Sequence, residues 1–174
     1  MRRVTRMVAC LLAGVALPAL ALAAAGASGT PSLPARHGPF FLPSGEAARI
    51  VTVTSNGKAQ AAITVLTEAV AVKETGPKAT VRKFGEVYAF SPAFIAVHRD
   101  QPTRIEFWNL QPDDEHDVAL MGQHSKVLMY VELPPLTKTS LIFVFHKEGE
   151  FDFKCLRHQP EMSGQILVLP PAAK

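Results

Sequence analysis

Cysteine is nearly absent from this chain. Its 174 residues include two, and Cys10 lies in an apolar N-terminal run behind Arg2, Arg3 and Arg6. A basic start, an apolar stretch and alanines spaced A-x-A have the form of a secretory signal peptide. The expected leader is residues 1–25, cut between residues 23 and 27, and Cys10 leaves with it. A chain with one cysteine in an oxidising compartment has no partner for a structural disulfide. The alternative is an uncleaved anchor, since residues 7–35 carry no charge and about 20 apolar residues span a bilayer. Gly14, Pro18 and the alanine-rich end favour cleavage. Lipoprotein and twin-arginine readings fit poorly, the first because almost no apolar region precedes Cys10, the second because Thr5 replaces a bulky apolar residue.

An excess of either charge is missing too. Removing the three leader arginines leaves 15 Lys+Arg against 15 Asp+Glu, so the precursor's pI of about 9.0 is no argument for a nucleic-acid partner or an acidic substrate. Long helical periodicity and internal repeats are also lacking. About 150 residues remain after the leader, enough for one domain with a sizeable core.

Residues 28–46 carry four prolines and three glycines without periodicity and read as a loop or arm. Next, residues 50–54 and 61–72 flank Ser55-Asn56-Gly57-Lys58, and Asn-Gly between β-branched runs predicts a hairpin. The alanine-rich stretch 59–71 has a short helix as its alternative. From Lys78 onward, residues 81–90, 94–98, 103–109, 116–121, 127–131, 139–145, 150–155 and 164–169 are short β-branched or aromatic runs separated by Pro, Gly and Asp turns. That spacing predicts an all-β antiparallel sandwich or barrel. The expected organisation is a leader, an N-terminal extension over 26–79 and a β-domain over 80–174.

What remains is chemistry at the C-terminal end, where C-L-R-H-Q-P-E-M places Cys155, His158 and Met162 in one short loop, with His116 opening an earlier strand. In Gly149-Glu150-Phe151-Asp152-Phe153-Lys154-Cys155 a period of two sends Phe151, Phe153 and Cys155 inward. One thiolate, two imidazoles and one thioether are the donor set of a mononuclear blue-copper site, in which soft sulfur favours Cu(I) and imidazole holds Cu(II). Singly, each residue has an ordinary reading: a packed cysteine, a surface histidine, a core methionine. Jointly they point to a metal. Zinc is the competing ion but gains little from a thioether, and a catalytic cysteine would need exposure and an activating neighbour. His98, His124, His146 and His37 read as surface residues.

These segments, N-L-Q-P-D-D-E-H-D-V-A-L over 109–120 and G-E-F-D-F-K-C-L-R-H-Q-P-E-M-S-G-Q-I-L-V over 149–168, resemble the cupredoxin family with its plastocyanin-, pseudoazurin- and azurin-like members. The resemblance covers roughly residues 80–170 and implies a Greek-key β-sandwich. It also implies one copper held by His116, Cys155 and His158 with Met162 axial, and a role shuttling single electrons between larger redox proteins. It further implies that His158 meets the surface in an apolar patch, here flanked by Leu156 and Pro160. Two departures stand out. C-x2-H followed by H-x3-M is a composite of subfamily spacings, and Asp117 stands where the family often has asparagine, which changes the hydrogen bonding expected around the sulfur. The expectation is therefore a periplasmic carrier whose partners are a cytochrome, oxidase or dehydrogenase, with no membrane insertion after leader removal. A copper-handling protein is the first alternative, although Met121 and Met129 are the mature chain's only other methionines. A small copper enzyme with an open position is the second.

Overall fold

The computed structural model describes residues 40–158 and 162–173; the leader, His37 and Pro160 lie outside them. The strands are β1 (Phe40–Phe41), β2 (Val51–Thr54), β3 (Ala61–Ala71), β4 (Val87–Ser91), β5 (Phe94–His98), β6 (Thr103–Asn109), β7 (His116–Met121), β8 (Val127–Leu133), β9 (Lys138–Phe145), β10 (Gly149–Lys154) and β11 (Ser163–Leu169). They form two sheets, ordered β1-β8-β7-β10-β11-β5 and β2-β9-β6-β3-β4. Alternation in sequence becomes alternation in burial. In β6, Thr103, Ile105, Phe107 and Asn109 face inward while Arg104, Glu106 and Trp108 face outward. Phe107, Phe143, Phe90 and Tyr88 from one sheet and Phe153, Leu120, Met129 and Ile166 from the other belong to one buried cluster. Two sheets sharing one core is the sandwich the sequence predicts.

Phe153 anchors that core. Its ring lies 5.1 Å from that of Phe90 and 6.3 Å from that of Phe107, and burying a phenylalanine contributes about 1.5–3 kcal/mol. Directly across the β10–β11 ladder is Gly164, where a Cβ would collide with the Phe153 ring and the Ala93 carbonyl. A glycine there lets the ring lie flat over the neighbouring strand.

Two expectations need correction. The strands flanking Asn56-Gly57 form, and 61–71 is strand rather than helix, but they do not make a hairpin. β2 pairs with β9, with Val51 opposite Phe145 and Val53 opposite Phe143, while β3 runs parallel to β6 and antiparallel to β4. The Gln60 N–H bonds Pro102 O at 2.8 Å, which commits β3 to β6; long-range burial against phenylalanines outweighs the local turn preference.

The described part of the N-terminal extension, from Phe40 on, contributes strands to both sheets. β1 extends one sheet, and β2 and β3 lie within the other. Finally, residues 81–90 are not one strand. Helix α1 (Lys78–Phe84) precedes β4, entered from Pro77 and closed by Gly85, whose φ is 81° and whose N–H bonds Val81 O at 2.9 Å. Proline before a helix and glycine after it are the stop signals that the β-branched count hides.

Candidate metal centre

β7 and β10 are adjacent antiparallel strands, with Leu120 opposite Phe153 and Ala119 opposite Lys154. The first residue of β7, His116, therefore lies at the same end of the sheet as Cys155, the residue after β10. The chain then turns through Leu156–His158 and returns at Met162 to β11. Two backbone bonds close that turn: Cys155 N–H to Met162 O and Met162 N–H to His158 O, each 3.0 Å. His116, Cys155 and Met162 are fully buried, and His158 is half-buried.

Three donor atoms converge here. The Nδ1 atoms of His116 and His158 are 3.0 Å apart, and Cys155 Sγ lies 3.9 Å from the first and 3.4 Å from the second. A circle through three points at those separations has a radius of about 2.0 Å, close to the 2.0–2.3 Å of metal–imidazole and metal–thiolate bonds. The donor chemistry and the spacing both fit a metal ion, and this is the His/Cys/carboxylate cluster of that kind among the described residues. The His116 Nε2 is buried with no hydrogen-bond partner among them, so this ring's polar contacts are made through Nδ1.

Burial sets the protonation of the metal-free site. Desolvation first, then the neighbouring His158, push His116 down to about 4, so it is neutral and ready to donate a lone pair at neutral pH. Desolvation first, then the Asp117 charge, push the Cys155 thiol up to about 11, against the amides of Asp117, His158 and Arg157. The thiol therefore keeps its proton until a cation displaces it.

Asp117 is a fully buried carboxylate. Its Oδ1 accepts the Leu156 N–H at 2.6 Å, and its Oδ2 lies 3.7 Å from Arg157 Nε. Burial, the largest cause, raises its pKa to about 6, against the Leu156 amide and the Arg157 charge. Arg157 is also 3.2 Å from Glu115 and 3.5 Å from Glu132. The Asn-to-Asp departure noticed in the sequence is thus matched by a cation two residues past the cysteine.

No family model and no curated protein matches the sequence. Solved structures do. A copper nitrite reductase from Nitrosomonas europaea superposes with a TM-score of 0.51 at 12% identity, over 66% of this chain and 51% of that one. A multicopper oxidase from Campylobacter jejuni, described as a metallo-oxidase, gives 0.50 at 8% identity over 65% of this chain and 31% of that one. Auracyanin A, a blue copper protein from Chloroflexus aurantiacus, gives 0.45 at 15% identity over 62% of this chain and 98% of that one. The fold is cupredoxin-like. At these identities the likeness is one of fold, and the chemistry has to be argued from the residues.

Within this cupredoxin-like sandwich the other histidines among the described residues, His98, His124 and His146, lie apart from the cluster. His98 Nδ1 is 2.6 Å from Pro170 O. His146 is bound to Asp100 at 2.9 Å and Thr52 at 3.2 Å. His124 sits in an exposed turn with a φ of 56°. Tyr88, which sequence patterning passed over, belongs to the centre, and Asn109 braces the loop that leads to His116. Tyr88 packs its ring on both histidines. Asn109 donates from Nδ2 to Asp114 O and Leu133 O, each at 2.8 Å, and accepts at Oδ1 from the Thr67 hydroxyl and the Gln111 N–H, each at 3.0 Å. Their inward orientation is legible in the period of two, but not the end of the sandwich at which they meet.

Proposed function

We propose that the protein is a single-copper electron carrier, with His116, Cys155 and His158 as the strong ligands and Met162 as the weak one. The observation that carries this reading is the convergence of two imidazoles and one thiol on a single point. The full burial of Met162 on the same short loop supports the fourth assignment. When bound, copper supplies a one-electron couple, with thiolate favouring the reduced ion and imidazole the oxidised one.

The chain's own residues do the rest. Cys155 surrenders its proton on metal capture. Asp117 and the loop amides hold the sulfur in place, and the Phe153 side of the core keeps water away. His158, alone of the three donors in being half-buried, is the natural point of contact with a redox protein such as a cytochrome, oxidase or dehydrogenase. The half-buried Leu156 close by in the chain adds apolar surface suited to a small, short-lived encounter.

Burial of His116 and Cys155 argues against a chaperone that hands its metal on. The cupredoxin-like nitrite reductase and metallo-oxidase are enzymes, so the carrier reading needs a functional test as well as a spectroscopic one. Export to the periplasm follows from the leader reading; among the described residues no helix is long and apolar enough to cross a membrane.

The copper-loaded protein should show an intense visible thiolate charge-transfer band and a type 1 EPR spectrum, both lost in Cys155→Ser. A colourless wild type, or a serine variant that keeps the colour, would refute the assignment. Stopped-flow exchange with a co-encoded cytochrome, run beside assays for oxygen, peroxide and nitrite consumption, decides carrier against enzyme. Sustained turnover by the isolated protein would overturn the carrier.

A further inference from the structure

We propose that Tyr88 is a positioning residue for both imidazoles of the centre, its ring fixing their planes and its hydroxyl tying them to the loop before His116; the proposal rests on the metal-site reading above. Tyr88 belongs to β4, in the sheet opposite the one that carries His116 and Cys155, and is 2% exposed. Its ring centroid lies 4.8 Å from that of His116 in an edge-on contact and 4.7 Å from that of His158 in a tilted one. The two histidine rings are themselves 4.7 Å apart. Each imidazole plane is therefore held by two other rings.

The ladder beside this side chain is irregular. The β3–β4 ladder shifts register between Ala69, opposite Tyr88, and Ala71, opposite Val87. The extra residue is Val70 of β3, the strand across from Tyr88, and such bulges are common beside functional sites.

The hydroxyl does separate work. It donates to the Asp114 carboxylate, and the Asp114 carbonyl accepts from Asn109 Nδ2 at 2.8 Å. Asn109 Oδ1 in turn accepts from Thr67 and from the Gln111 N–H, and the Leu110 N–H bonds Thr67 Oγ1 at 3.2 Å. This chain of bonds joins β3, β6, the loop over residues 110–115 and β4, and it ends on the ring that touches both histidines. A displacement of the loop is thereby transmitted to the imidazoles.

Ring and hydroxyl can be removed separately. In the metal-free protein, Tyr88→Phe should leave the imidazole nitrogen NMR signals of His116 and His158 as single resonances, while speeding amide hydrogen exchange at Leu110 and Gln111 by about tenfold or more, the effect of losing a charged hydrogen bond. Tyr88→Leu should split or broaden the His158 ring signals. In the copper-loaded form it should alter the EPR hyperfine pattern, which Tyr88→Phe leaves in place.

Single, unshifted histidine signals and an unchanged EPR spectrum in Tyr88→Leu, with only a lowered Tm, would reduce Tyr88 to a core residue. Unchanged exchange in Tyr88→Phe would overturn the tether. Should Tyr88→Leu fail to fold, Tyr88→Phe decides: faster loop exchange with both rings ordered supports the proposal, and wild-type exchange refutes it. The metal-free arm reads positioning even if copper proves to be the wrong ion, so the two failures are distinguishable.

Discussion

Two fully buried groups in the metal-free protein titrate in opposite senses, and their effects on stability offset. His116 is held at about 4 against an ordinary 6.5. Its folded-state pKa is depressed, so the unfolded chain binds the extra proton and stability rises as pH climbs from 4 to 6.5. At 1.36 kcal/mol per tenfold change in proton affinity, that rise is about 3 kcal/mol. Asp117 is held at about 6 against an ordinary 3.8. Its folded-state pKa is raised, so its stabilising contribution is full below pH 3.8 and is lost as pH climbs through 6. That loss is again about 3 kcal/mol by the same conversion.

Between pH 4 and 7 the two nearly cancel. Asp117→Asn removes one of them while the amide oxygen still accepts the Leu156 N–H. Urea unfolding of the two metal-free proteins at pH 4, 5, 6 and 7 should therefore give stability curves that diverge by about 3 kcal/mol across the range, the variant rising more steeply. Groups common to both proteins drop out of the difference. Parallel curves would mean that Asp117 is already ionised at pH 4 in the folded state, and the burial argument would fail.

Because the Cys155 thiol is held at about 11, metal capture must expel its proton. The apparent affinity for Co(II) should rise about tenfold per pH unit between pH 7 and 9, and a pH-independent constant would show that the sulfur is not a ligand. Met162→Gln should lower the reduction potential with copper still bound, and Met162→Leu should raise it; cyclic voltammetry giving one potential for all three proteins would make Met162 a core residue only. Gly164→Ala sets a methyl against the Phe153 ring and the Ala93 carbonyl and should cost about 1–3 kcal/mol in urea unfolding. A neutral result would mean that Phe153 has room to swing aside.

Most strands were legible because their alternation is clean. In β6 and β10 the inward residues are the ones a period of two selects. Pairing was less so. Asn56-Gly57 is a strong local turn signal, yet β2 finds β9 and β3 finds β6, since the partners that bury Val51, Val53 and Val65 lie far along the chain. Helix α1 escaped notice because Val81 and Phe84 suit a strand as well as a helix, and no residue of α1 is buried, so no amphipathic stripe betrays it. The cluster of His116, Cys155 and His158 was readable from residue types and spacing. Tyr88 was not, because its contact with the histidines comes from the opposite sheet and depends on how the two layers stack.

Asp117 shows how the local rules combine at the centre. His116 opens β7, Cys155 follows β10, and the loop over residues 156–162 leads into β11, so every donor hangs from three neighbouring strands whose ladder fixes the spacing before any metal arrives. The β10 ladders end at Lys154. There the Asp117 carboxylate takes up the Leu156 amide at 2.6 Å, and a charged acceptor makes a stronger bond than a neutral amide would. Burying that charge opposes folding at neutral pH by about the 3 kcal/mol worked out above. Arg157 limits the cost from the surface side while Glu115 and Glu132 hold its guanidinium in place. A loop latched this way keeps its donors in one arrangement whichever charge the metal carries. In the carrier proposed above, that fixed arrangement is what the few kcal/mol of lost stability sustains.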